Sequence, residues 1–247
     1  MPLPNKLKKD AILEAICEFR FESDEMDELV LGRLSETVPW ASFLKTRLPF
    51  SDLPAPMRKS DSTLRYQPLV ELRDRDSPRL IKIGSNVVSA HVLAPYCGWA
   101  AFRPQLHEVL ETLFKKFNEI RITRIGLRYV NALAPADHHI QDISGLRLKI
   151  QIDNEHLTLP FTLAYVNTAD DITSIVKVAS PSLVAGTSLP VGFIALIDVD
   201  ICTSENVIIS DLETGKAWLD RAHQTEKEEF FRLWPEDALR AATEEWT

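Results

Sequence analysis

The chain is poor in cysteine and has no familiar catalytic signature. Its three cysteines, Cys17, Cys97 and Cys202, are odd in number and far apart. No pair has metal-clip spacing, and no disulfide framework is implied. A reducing, cytoplasmic setting is the expectation. No apolar run reaches the roughly 18 residues that a membrane helix needs. Residues 1–19 carry lysines but no long apolar core and no small-residue cleavage site, so no leader peptide is expected. Also missing are a G-x-S-x-G elbow, a phosphate loop, G-x-G-x-x-G, H-E-x-x-H and a C-x-x-C pair. No helix rich in Arg and Lys appears, and the chain carries a net charge of -8, so duplex DNA readout is not expected.

What is present is an ordinary globular composition over 247 residues, with 45% hydrophobic and 26% charged residues. That length can bury a substantial core and excludes disorder of the whole chain. Charge is uneven. Residues 58–128 hold 13 Lys and Arg against 7 Asp and Glu, whereas residues 198–247 hold 5 against 13. The basic middle can meet phosphates, single-stranded nucleic acid with aromatics as stacking platforms, or the chain's own acidic C-terminal segment. Solvated faces and internal pairing are the plainer reading.

Residues 12–21 alternate, with Leu13, Ala15, Cys17, Phe19 and Phe21 on one face and Glu14, Glu18 and Arg20 on the other. A helix capped at Ser23 or Asp24 is predicted to run to about Thr37. Residues 45–61 read as a proline-rich loop, and Ser62–Arg73 as an edge or bulged strand because Pro68 lacks a ladder donor. The hairpin RLIKIGSNVVSAHVL turns at Gly84-Ser85-Asn86, residues tolerant of positive φ. Trp99, Phe102, Leu106, Val109, Leu110, Leu113 and Phe117 recur at helical spacing. A strand over 121–133 follows. Further strands are predicted near 145–152, 161–168, 172–179 and 192–202, with helices near 211–231 and 235–245. The expectation is an α+β fold with a largely antiparallel sheet and helices packed on one side. It is one domain over 1–247, or two similar sheet-plus-helix halves at 1–134 and 135–247.

Candidate chemistry is sparse. Asp198 and Asp200 lie two apart on a strand, so both carboxylates project from one face. Such a pair can hold Mg²⁺ or Mn²⁺ with phosphate completing the shell. The plainer reading is the polar face of a half-solvated strand. Glu14, Glu18, Arg65, His91, Arg124 and Arg128 are the candidate ligand-binding residues. On a shared curved sheet they would line a polar groove, with Arg124 and Arg128 clamping an anion across Gly126. The competing reading is a water-facing sheet of cross-strand ion pairs. His138 and His139 read as surface loop. Tyr96, Gly98 and Trp99 form an aromatic turn, read as a staple packing a helix entrance onto the sheet.

The patterns LEAICEFRF, RLIKIGSNVVSAHVLAPYCGW, FRPQLHEVLETLF, RIGLRYVN, LIDVDI and LWPEDALRAA occur in this order along nearly the whole chain. Together they resemble a sporadically distributed family of prokaryotic proteins of about this length, to which no activity is assigned. The resemblance implies a bacterial or archaeal protein of an accessory or defence-related system, and carries over no catalytic residue. With no cofactor motif in view, the leading expectation is a module that binds a ligand, a protein partner or a second copy of itself. The acidic C-terminal helices and Trp246 are candidates for self-association. The alternative is a metal-dependent enzyme on a phosphorylated or nucleotide substrate.

Overall fold

A computed structural model describes residues 2–38, 40–153, 155–156, 160–184 and 189–246. In chain order the strands and helices are β1 (Pro4–Leu7), β2 (Ile12–Glu22), α1 (Asp27–Ser35), β3 (Leu44–Arg47), α2 (Ala55–Ser60), β4 (Val70–Arg73), β5 (Arg79–Ile83), β6 (Val87–Leu93), α3 (Trp99–Lys116), β7 (Arg121–Leu133), α4 (Pro135–His138), β8 (Gln151–Ile152), β9 (Glu155–His156), β10 (Thr162–Ala169), β11 (Ile172–Ala179), β12 (Ala195–Thr203), α5 (Leu212–Arg232), α6 (Glu236–Ala242) and β13 (Thr243–Trp246). Nine strands form one sheet in the order β10-β11-β12-β7-β2-β6-β5-β4-β3, and every adjacent pair is antiparallel. The fold is α+β, as the alternation and helical stripes imply. Among the described residues no helix is long and apolar enough to cross a membrane.

One face of this sheet is apolar. Ala15, Cys17, Phe19 and Phe21 of β2, Ile125, Leu127 and Tyr129 of β7, and Ile197, Val199 and Ile201 of β12 are all buried on it. α3 and α5 cover that face and pack on one another. The α3 stripe of Phe102, Leu106, Val109, Leu110 and Leu113 is fully buried, and each such side chain contributes roughly 1.5–3 kcal/mol of burial. α5 is capped by Asp211, whose side chain accepts from the Thr214 N–H.

The strand order repeats. From β2, a short helix, the meander β4-β5-β6 and the long helix α3 follow; from β7, the short helix α4, the meander β10-β11-β12 and the long helix α5 follow. In each half the first strand pairs with the last of its meander, and the two first strands, β2 and β7, pair at the centre. The topological division therefore falls between α3 and β7, and a boundary at 134 would split the second unit from its first strand.

Several local expectations change. Ser62–Arg73 is a strand only from Val70. Asp61 instead closes a turn, its side chain accepting from the Thr63 N–H at 2.8 Å while its carbonyl accepts from Leu64 and Arg65 at 3.1 Å. The sheet edge beyond β4 is β3, which with α2 comes from the segment read as loop. α1 begins after Met26, with no side-chain cap. The stretch near 145–152 holds only a 3-10 turn and β8. The last predicted helix ends at Ala242, because Thr243–Trp246 pairs with β1. His138 is buried, accepting the Ala134 N–H on Nδ1 and meeting Trp234 edge-on, so it is no surface loop.

Gly84 does not use a positive φ. A Cβ there would lie 2.6 Å from the Gln67 carbonyl oxygen and 2.7 Å from Val87 Cγ1, so close approach to backbone is what excludes a side chain. Gly84→Ala is expected to destabilise by about 1–3 kcal/mol, as overpacking does. Equilibrium denaturation with an unchanged midpoint would refute this.

Candidate functional site

The uncovered face of the sheet gathers most of the predicted residues. β2 presents Glu14 and Glu18, β6 presents His91, β7 presents Arg124 and Arg128, and β12 presents Asp198 and Asp200. Register explains the cluster: Arg128 sits opposite Ile16 on one side and Asp200 on the other, and Ile16 sits opposite His91. Arg65 is the exception. It lies in the turn before β4, 3.5 Å from Glu22 and over the Tyr66 ring.

The cluster is heavily self-paired. Arg128 grips Asp198 with both Nε and Nη2 at 2.7 Å. Arg124 reaches Glu18 and Asp200 at 3.0 Å each, and its guanidinium lies across Gly126, where a Cβ would collide with it. Arg20 meets Glu18 at 2.7 Å. His91 contacts Glu14 through Nδ1 at 2.7 Å and Ser89 through Nε2 at 2.8 Å. Burial holds His91 below its ordinary value against the pull of Glu14. Burial pushes the Asp200 carboxyl up, opposed by Arg124 and Arg128. Aspartates and arginines thus share a face, but they occupy one another, and a metal or an anion must displace an existing partner. Among the described residues no group of three or more His, Cys, Asp or Glu is placed to hold a metal ion. The basic middle also pairs with the acidic C-terminal segment through Arg103–Asp220, Arg124–Asp200 and Arg128–Asp198.

A second site lies on the opposite, helix-covered side. A cavity of about 750 Å³ opens between the start of α3, the face of α5, the ends of β2 and β7, and the β1–β13 ribbon. Its polar groups come from regular positions. Tyr129 and Asn131 are two apart on β7, and His223, Glu226, Lys227 and Phe230 share one face of α5. Tyr96 and Trp99 come from the aromatic turn, where Gly98 takes φ 83° at the mouth of α3, a conformation favouring glycine. The turn is a packing device, since both rings meet Phe102 edge-on. It is also a wall of the cavity.

The Tyr96 and Tyr129 hydroxyls lie 3.0 Å apart. Trp99 stacks on His223 with centroids 4.1 Å apart, and His223 Nδ1 is buried without a partner. Burial, aided by the Lys227 charge, pushes His223 down to about 3, so it is neutral. Glu226 is only 6% exposed, and among the described residues its carboxyl has no hydrogen bond or ion pair. Burial pushes it up to about 8, with Lys227 opposing. Sequence reading missed this cluster because its members are scattered over 100 residues. The legible signal was the 223-226-227 spacing of His, Glu and Lys, a polar stripe where a covering helix should be apolar.

No protein-family model matches the chain, and no curated protein matches it significantly.

Proposed function

We propose that the protein is a ligand-binding module whose small-molecule site is the cavity between α3, α5 and the β1–β13 ribbon. The observation that carries this reading is Glu226, a residue only 6% exposed whose carboxyl has no hydrogen bond or ion pair among the described residues and lines a space of about 750 Å³. Buried polar groups in folded proteins are almost always paired, and the exceptions concentrate at functional sites. The size and mixed lining suit a drug-sized ligand. Self-association or a protein partner remains part of the proposal, supported by exposed Trp246 on β13 and Val166 on the edge strand β10. The family resemblance supports an accessory or defence-related setting. The metal-dependent reading of Asp198 and Asp200 draws less support, because Arg128 and Arg124 already hold those carboxylates.

The neutral fluorophore N-phenyl-1-naphthylamine tests the cavity. Its emission is expected to rise on binding to the parent protein. Ala11→Phe, which grows a ring from the cavity wall, and Ala100→Trp, at the exposed rim, should each abolish most of that rise. No enhancement in the parent, or equal enhancement in both folded variants, would overturn the reading.

A further inference from the structure

Resting on the cavity as a ligand site, we propose that its ligand is a planar, nitrogen-rich cation of the amidine, guanidine or amino-heterocycle class, bound through paired N–H groups to the Glu226 carboxylate.

Several charged groups in the cavity are already spent. Of its cations, Lys6 pairs with Glu244 at 3.0 Å and Arg103 with Asp220 at 2.6 Å. Lys227 on α5 has no salt-bridge partner among the described residues. Of its acids, Glu226, Asp10 in the turn before β2, and Glu245 on β13 form no ion pair among the described residues. The cavity's uncompensated charge is therefore negative. A cation is the species such a space attracts.

Hydrogen-bonding capacity points the same way. Asn131 spends its amide N–H groups on the Tyr129 and Ile197 carbonyls, both at 3.3 Å, and no donor to its oxygen is found among the described residues. Pro104 has no N–H to give the Ala100 carbonyl, and both residues line the cavity. The Glu226 carboxylate adds two acceptor atoms. The unspent groups are mostly acceptors, so a complementary ligand donates. A carboxylate matches two parallel N–H donors best, the geometry of an amidinium or guanidinium fork. Ring surface is supplied by Trp99, backed by His223, and by the Tyr96–Tyr129 pair, where a flat cation gains both packing and cation–π attraction.

A monovalent ammonium would satisfy the charge but leave the second carboxylate oxygen and the ring surface unused. An anionic ligand would meet Lys227 as the one cation unpaired among the described residues and would face three acids.

Binding must ionise Glu226, and the groups that bear on its proton come from every side. On α5 these are His223, neutral, and Lys227, whose ammonium is itself held down by burial. From the sheet comes Tyr129, and from the aromatic turn Tyr96, both held protonated by burial. Asp10, Lys6 and Arg103 stand at the rim with Glu245.

The experiment compares benzamidine, its neutral isostere benzamide and benzoate by isothermal titration calorimetry, with N-phenyl-1-naphthylamine as the occupancy control. Benzamidine is expected to bind at least tenfold more tightly than benzamide, with benzoate not detected. At pH 6.5, titrations in buffers of different ionisation enthalpy should show close to one proton released per benzamidine. Glu226→Gln should lose at least tenfold in benzamidine affinity and all proton release while retaining the fluorophore. If the fluorophore binds but benzamidine and benzamide are equal, or Glu226→Gln changes nothing, the ligand class is wrong and the cavity reading stands. If the fluorophore ignores the cavity-filling variants, both fall together.

Discussion

Glu226→Gln is expected to raise the melting temperature of the unliganded protein by about 10 °C at pH 8 and to leave it nearly unchanged at pH 5. The carboxyl moves from an ordinary 4.5 to about 8 on folding. Between those values the unfolded chain has released its proton and the folded chain still holds it. The unfolded state then binds fewer protons, so stability falls as pH rises through that window. A rise from 4.5 to about 8 corresponds to a ceiling of about 5 kcal/mol. Gln has the shape of the protonated acid and cannot ionise, so it removes the fall. His223 acts at the other end. Depressed to about 3, it loses stability as pH drops below 6.5, but equally in both proteins. Parallel curves of melting temperature against pH for parent and variant would refute the prediction.

Glu226 thus ties the pH dependence of stability to the cavity. A residue that lowers stability at neutral pH and pairs with nothing in the unliganded chain is hard to assign to folding. Strained and unsatisfied groups are found where function requires them. The variant expected to be more stable is the same one expected to lose the cationic ligand, and the two effects are measured independently.

The framework was legible because it follows local periodicity. The alternation of residues 12–21, the α3 stripe and the 121–133 strand depend only on which face is apolar. What did not show was what depends on distant partners. Thr243–Trp246 carries no strong strand pattern and is a strand because β1 pairs with it. Arg65 leaves the sheet because Asp61 closes a turn, an event local in chemistry but competing with an equally local alternation. The polar face was legible in membership: Glu14, Glu18, His91, Arg124, Arg128, Asp198 and Asp200 were expected there from strand parity. Its pairing was not, because which carboxylate meets which arginine is set by the β7–β12 and β2–β7 registers. The cavity was invisible for a further reason. Glu226, Tyr129 and Trp99 each read as an ordinary residue of its own element, and only the packing of α5 over β7 brings them together.

Arg124→Leu is expected to destabilise the fold by about 2–4 kcal/mol at pH 7, the range for breaking a buried pair reduced for partial exposure. Arg124 is 21% exposed and bridges Glu18 and Asp200, themselves 27% and 24% exposed. Its loss leaves two half-buried carboxylates side by side, with Arg20 still on Glu18 and Arg128 still on Asp198. Burial already holds the Asp200 carboxyl above its ordinary value while Arg124 pulls it down, so removing Arg124 raises it further. The unfolded chain then releases the Asp200 proton at a lower pH than the folded chain does. The loss is therefore full at neutral pH and shrinks as pH falls toward 3.8. Adding Asp200→Leu should restore most of the stability, because apolar replacement of both partners removes the stranded charge together with the pair. If Arg124 instead serves as an anion clamp, the pattern inverts. Stability barely moves in Arg124→Leu, the second substitution rescues nothing, and inorganic phosphate protects the parent but not the variant against thermal unfolding. Denaturation of the single and double variants, with and without phosphate, therefore separates a ladder of internal ion pairs from a binding surface on the same residues.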